Sequence, residues 1–282
     1  MTSTPSEAFA SPRVSAPRRG PVAQAMQGLR EIIERRRLIR YLVGADLKRT
    51  HADTIFGQVW WILDPLLQMA IYVVLVTVIF NRPIPDYPLF LFAGILPWKW
   101  FATTLSDSAI SITGRQSLIR QVQFPKVVLP TASVTAGSVS FVIGLVALAF
   151  VYLFFLHRLT PWVLLIPVIA VVQYVFTLAL AIALSALNAF FRDVQNVLRH
   201  TLRLWFYMSA ILYPLDRVPE GLRPILLLNP FTHLVDAYRS VTWGTTAPDW
   251  LSLLVVLVLS LVLVVLALGL FKRLEPAFAR IL

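Results

Sequence analysis

Two blocks of thirty residues, 127–156 and 162–191, carry no charged side chain at all. About 20 apolar residues at 1.5 Å each cross the hydrocarbon of a bilayer, so runs of this kind are what a membrane selects. Thirty residues exceed that length, and tilt or an extra turn is expected. The rest of the chain agrees: 58% of residues are hydrophobic, 14% are charged and the mean hydropathy is +0.75. A soluble domain of this length needs far more polar surface. The chain therefore reads as an all-α polytopic membrane protein.

Several chemistries are excluded early. With no Cys there are no disulfides, thiolate metal sites or cysteine nucleophiles. The four His (His51, His157, His200 and His233) are scattered and have no ligand spacing such as HExxH. No Gly opens the GxxxxGK[ST] pattern of a phosphate loop, so no ATPase and no cofactor is expected in this chain. The net charge of +11 needs a partner of its own, and its placement along the chain points to a membrane surface rather than to nucleic acid.

Residues 1–28, rich in Pro, Ser and Ala, read as a disordered cytoplasmic tail with no hydrophobic core for a signal peptide. Residues 29–50 set Leu29, Ile32, Ile33, Leu38, Ile39 and Leu42 against Arg30, Arg35, Arg36, Arg37 and Arg40. That pattern predicts an amphipathic helix on the bilayer surface, drawn to anionic lipid by roughly 1 kcal/mol per basic residue. Residues 51–282 form the transmembrane domain, with spans expected at 60–80, 89–112, 127–156, 162–190, 198–213 and 250–271. Asp64-Pro65 suits a helix entrance, and Pro97 is expected to kink or break the second span.

Between spans five and six, residues 218–240 are too short and too broken by proline to cross. They read as a re-entrant helical pair, which is tolerated where protein or water covers its backbone. Six crossings with both termini inside put 19 of the 25 basic residues in cytoplasmic segments, against five in outer loops and Lys99 within a span. This satisfies the positive-inside rule, and a seventh crossing would break it.

The polar stretch Arg115 to Lys126 stands between two apolar blocks. Its Leu118, Ile119 and Val122 give a short helix one greasy side and a basic, amide-rich side, stopped by Pro125. Such a helix is suited to press against another protein; the alternative is a loop whose charge only sets topology. A second polar stretch spans 190–196. Lys99, at membrane depth between Trp98 and Trp100, is costly unless it faces water or an anionic partner, or snorkels.

In order along the chain come Gly57-x-x-Trp60-x-x-x-Asp64-Pro65, Gly94-x-x-Pro97-Trp98 with Phe101, and Leu118-Ile119-x-x-Val122-x-Phe124-Pro125. Phe191-Arg192-Asp193, Tyr213-Pro214, and Asn229-Pro230-Phe231 with Tyr238-Arg239 complete the set. This ordered set resembles the membrane subunit of ABC-2 type exporters, in the branch that exports O-antigen, capsular polysaccharide and teichoic acid. Asp64 stands where that family more often has Glu. The resemblance implies a homodimer in the bacterial inner membrane, bound to two separate ATPase subunits that hold ATP and Mg and drive a lipid-linked polysaccharide across.

It also implies roles. Arg115, Gln116, Arg120, Gln123, Phe124, Pro125 and Lys126 form a coupling helix at 115–125, with Phe124 filling a pocket on the ATPase. Arg192 and Asp193 are a second contact, or equally a local ion pair capping a helix. Asn229, Pro230, Phe231 and Arg239 belong to gate helices, and Arg35, Arg36, Arg37 and Arg40 to the membrane surface.

A sliding glycan needs a wall that holds it weakly at many points, and aromatic faces do this without demanding one hydroxyl pattern. Tyr72, Trp98, Trp100, Phe101, Trp205, Tyr207 and Tyr213, with Lys99, are the candidate channel residues; the alternative for each ring is an interfacial belt or core packing. A drug or small lipid is the alternative cargo. A membrane glycosyl or acyl transferase would need an acid pair, yet Asp107, Asp193, Asp216 and Asp236 fall in no DxD or HxxxxD pattern. A passive channel leaves both polar stretches without a role.

Overall fold

A computed structural model describes residues 20–49, 56–81 and 84–281. Most of the expected tail, residues 1–19, lies outside the described residues. Among those described, the protein is all-helical with eleven α-helices and no strand. They are α1 (Pro21–Glu34), α2 (Arg36–Arg49), α3 (Trp60–Val73, continued by a π-helical turn Val74–Ile79), α4 (Tyr87–Ala109) and α5 (Gln116–Gln121). There follow α6 (Val128–Tyr152), α7 (Ile166–Phe190), α8 (Asp193–Met208), α9 (Arg223–Leu227), α10 (Pro230–Thr242) and α11 (Trp250–Ile281).

Five stretches are long and apolar enough to cross a membrane: Trp60–Ile79, Tyr87–Ala109, Val128–Tyr152, Pro161–Phe190 and Trp250–Phe278. The expected span at 198–213 differs. Its helix, α8, has 16 residues, about 24 Å, and ends at Met208. It is amphipathic, burying Leu198, Leu202 and Phe206 while Arg199, His200 and Arg203 face outward. A one-sided polar face makes it short of the hydropathy that marks the other five. At the N-terminus the helix begins at Pro21, inside the stretch expected as a tail, and the expected single helix 29–50 is two, parted at Arg35.

The core sits on α4. From Leu89 to Trp98 every residue of α4 is buried, and the helix continues through Pro97 without ending. Helix α6 comes close because it presents small residues to it. A Cβ on Gly137 would stand 2.0 Å from the hydroxyl of Thr104, and one on Gly144 would stand 2.6 Å from Leu96. Where both solvent and core are apolar, such close backbone approach supplies the packing. Helix α3 is the opposite case: only Pro65 is buried, and Ile62, Leu66, Met69, Tyr72 and Val73 are half-buried against the core while Leu67 and Ile71 are exposed.

Contacts define two ends. At one, Arg115 pairs with Asp46 and the Lys126 N–H donates to Glu275 near the C-terminus of α11. At the other, Asp86 pairs with Arg158, whose guanidinium also donates to the carbonyl of Trp243. Helix α8 starts beside Phe190 at the first end and leads to Ala210 and Ile211 near Phe90, towards the second. The chain then turns back until Asn229 meets Trp205, and α10 climbs again to Thr242, whose carbonyl accepts from Tyr152.

Candidate functional site

The sequence singled out three places, and the structure treats them differently. The first is the aromatic group. Trp98 and Phe101 are not on a wall: they are 5% and 0% exposed and lie inside a ring cluster. Trp98 meets Phe206 at 5.6 Å and Phe231 at 5.0 Å, while Phe101 meets Phe176, Trp205 and Phe231 at 5.7, 5.2 and 4.6 Å. These edge-on and offset contacts fix α8 and α10 onto α4. Trp100, on another face of α4, stacks on Phe141 at 4.6 Å. Tyr72, which stacks on Phe206, Tyr213 and Trp205 are only partly buried, and Tyr207 is exposed.

Lys99 stands apart from its neighbours. It opens into a cavity of about 840 Å³ under α3, bounded by α2, α4, α6 and α8, with Trp60, Trp61 and Trp100 among its walls. There it forms an ion pair with Asp64 of α3. Asp46 and Arg115 form a second pair in the same space, and Arg49, Asp107 and Arg199 also line it. The Lys99 charge is met by an opposite charge 35 residues earlier, in a pair that stays partly open to the cavity, with the Asp64 side chain 58% exposed. Sequence reasoning placed Asp64 at a helix entrance and missed this pairing; the depth of Lys99 was the available signal. Among the described residues, no three His, Cys, Asp or Glu gather as a metal site.

The second place is the basic end. Helix α5 covers only Gln116–Gln121, shorter than expected, with Val122 already extended. Arg120 and Gln123 are exposed, and Gln116, Pro125 and Lys126 are partly buried. Arg115 turns inward to Asp46 instead of facing out. Phe124 is also turned in, 8% exposed among Ile119, Val127 and Phe271, so its pocket is in its own chain rather than on a partner. Arg192 and Asp193 are exposed at the start of α8. Asp193 sits in the first turn of that helix, where its charge suits the helix dipole. Arg36, Arg37 and Arg40 are exposed on α2, and Arg35 is exposed at the break before it.

The third place is the α8–α10 hairpin. Asn229 caps α10 by accepting from the Phe231 N–H at 3.0 Å. The same carbonyl oxygen accepts from the Trp205 indole at 2.8 Å, and its amide donates to Ser209 at 2.9 Å. Pro230 follows at the first helical position, where it lacks only an N–H that would be unpaired anyway. Arg239 is enclosed. Its guanidinium donates to the carbonyls of Ala210, Ile211 and Phe90 and lies 3.7 Å from the Phe90 ring. Ala210 has φ +51°, a conformation that costs a non-glycine residue energy. Arg239 therefore holds the turn after α8 in place, since its planar fork reaches the carbonyls of Ala210 and Ile211, which lie beyond the end of α8, together with that of Phe90 on α4.

Residues 37–243 match the ABC-2 type transporter family. The chain is similar to the O-antigen export system permease protein RfbA of Myxococcus xanthus, 36% identical over 89% of this chain and 97% of that protein. A permease of the same description from Klebsiella pneumoniae is 31% identical over 87% of this chain and 95% of the relative. The polysialic acid transport protein KpsM of Escherichia coli is 26% identical, over 78% of this chain and 87% of that protein.

Proposed function

Because this chain belongs to the ABC-2 type transporter family, we propose that it is the membrane permease that exports an O-antigen or capsular polysaccharide, carried on a lipid, across the bacterial inner membrane. Two copies form the conduit, and a separate ATPase, also in two copies, supplies the work. The chain crosses six times with both termini in the cytoplasm, α8 serving as the short fifth crossing and α9–α10 dipping into the outer half of the membrane. Helices α1 and α2 lie on the inner surface, with Arg35, Arg36, Arg37 and Arg40 at the headgroups.

One observation carries the reading. The two polar stretches of the sequence, 115–126 and 190–196, lie at the same end of the bundle as the C-terminal turns of α11, and they keep Arg120, Gln123, Arg192 and Asp193 exposed. An end built this way suits a docked partner that pushes on several helices at once. On the channel side, Tyr72, Trp205, Tyr207 and Tyr213 are the rings left partly open, with Lys99 and Trp100 in the cavity beneath α3. The deeper Trp98 and Phe101 support that wall from behind.

The test is co-expression with the ATPase encoded beside it. The two proteins copurify, and the pair Arg120→Glu with Lys126→Glu lowers stimulated ATP hydrolysis about tenfold. Each reversal replaces an attraction with a repulsion at the contact, and tenfold corresponds to about 1.4 kcal/mol. Unchanged hydrolysis in that variant removes the 115–126 stretch from the mechanism, and a purified chain that hydrolyses ATP unaided removes the whole reading.

A further inference from the structure

Past Phe271 the uncharged run of α11 gives way to Lys272, Arg273 and Glu275, and these last turns make contacts that no local sequence pattern announces. Glu275 accepts from the backbone N–H of Lys126 at 2.7 Å, fixing the end of the 115–126 stretch to α11. Its second oxygen accepts from Lys272 at 2.7 Å, and Lys272 in turn pairs with Glu31 of α1. One turn further on, Phe278 is fully buried against Phe271 and against Phe190, with ring centroids 5.4 and 5.8 Å apart. Phe190 is the last residue of α7, next to Arg192 and Asp193.

The two polar stretches are thus joined through one helix. The carboxylate of Glu275 reaches the first and the ring of Phe278 reaches the second, three residues apart in sequence and on one side of α11. A carboxylate that accepts from a backbone N–H holds that segment whatever side chain it carries. Gly28 of α1 packs so closely on Leu268 that a Cβ there would approach it to 2.9 Å, so α1 is held to the same helix. Neither α1 nor α11 lies within the 37–243 family match.

We propose that Glu275 is a positioning residue for coupling: with Phe278 it makes the C-terminal turns of α11 a strut that obliges the 115–126 and 190–196 stretches to move as one body. This rests on the reading that an ATPase works on those stretches. Helix α11 begins at Trp250, a few residues after α10 ends, so a strut moved at one end carries its displacement to the end where the hairpin sits.

The experiment uses the full chain with its ATPase, reconstituted in vesicles, and reads transport per ATP hydrolysed. Glu275→Gln keeps the ATPase bound but lowers transport per ATP at least fivefold, because the amide is a weaker acceptor and releases Lys272. Glu275→Asp restores at least half of it. The chain has no cysteine, so Phe190→Cys with Phe278→Cys, joined by a short bifunctional thiol reagent that spans the space the two rings filled, gives one defined cross-link, and transport survives it. Three results overturn the strut: normal transport per ATP in Glu275→Gln, loss of the bound ATPase in both Glu275 variants, or a cross-link that stops transport. If the wild-type chain fails to hold an ATPase at all, it is the reading of the function that falls.

Discussion

The two ends of the molecule handle cations in opposite ways. At the end that gathers α1, α5 and the last turns of α11, most of the arginines lie open: Arg36, Arg37, Arg40, Arg120 and Arg192 are all exposed. At the other end Arg239 is enclosed by three carbonyls and a ring, 6% exposed. The sequence marks both kinds simply as arginine. An exposed guanidinium keeps much of its water and contributes little to stability, so it can meet lipid or a partner at little cost to the fold. An enclosed one has exchanged its water for fixed acceptors, and removing it leaves the carbonyls of Ala210 and Ile211 without this donor. The first kind can change function without changing the fold, and the second cannot.

The sharpest way to break this contrast is Arg239→Leu. Three buried carbonyls lose their donor and the left-handed turn at Ala210 loses its brace, so the protein is destabilised by about 3 kcal/mol or more. Thermal unfolding in detergent reads it, and an unchanged melt would mean that this end is not stapled. Arg239→Lys falls between, because a single ammonium cannot serve three divergent acceptors.

Asn229→Ala comes next, with a loss of about 1–2 kcal/mol in the same measurement. It removes the cap of α10 and leaves the Trp205 indole without its acceptor. At the opposite end, the Arg120→Glu and Lys126→Glu pair should leave the melt within about 0.5 kcal/mol of wild type while lowering ATP hydrolysis. A large shift in its melt would erase the difference between the ends.

The smallest effect is one of pH. Asp86 is partly buried, which by itself raises its carboxyl, but hydrogen bonds from Arg158 and His157 hold it below the ordinary carboxylate value of 3.8. A depressed native value stabilises the fold above 3.8, and that contribution is lost as pH falls from there through the native value. Asp86→Asn should lower the melt slightly at neutral pH and converge with wild type in acid, so that the acid limb flattens. An identical acid limb would mean that the carboxylate is not part of that clasp.

Much of the architecture was legible before any coordinates. Four of the expected spans, at 60–80, 89–112, 127–156 and 162–190, coincide within a few residues with the long apolar helices, because long runs of high hydropathy with few charges mark them. The 198–213 stretch was harder. Its helix is amphipathic and starts and ends several residues early, so neither its hydropathy nor its charge sets its bounds. The 115–126 stretch was visible as a basic interruption, yet Arg115 and Phe124 turn inward, since a six-residue helix has too little length for its period to assign faces.

What the sequence determined by itself is the class of molecule: a helical chain with long membrane spans, basic at one set of connections, carrying an ordered set of family motifs. These follow from length, hydropathy and charge, which are properties of neighbours in the chain. The tertiary structure decided the partners. Lys99 meets Asp64, Arg239 meets the carbonyl of Ile211 and Glu275 meets Lys126, at separations of 35, 28 and 149 residues. No local period encodes such pairs, because which faces of two helices meet is set by how the small residues of α6 and the rings of α4 let the bundle close.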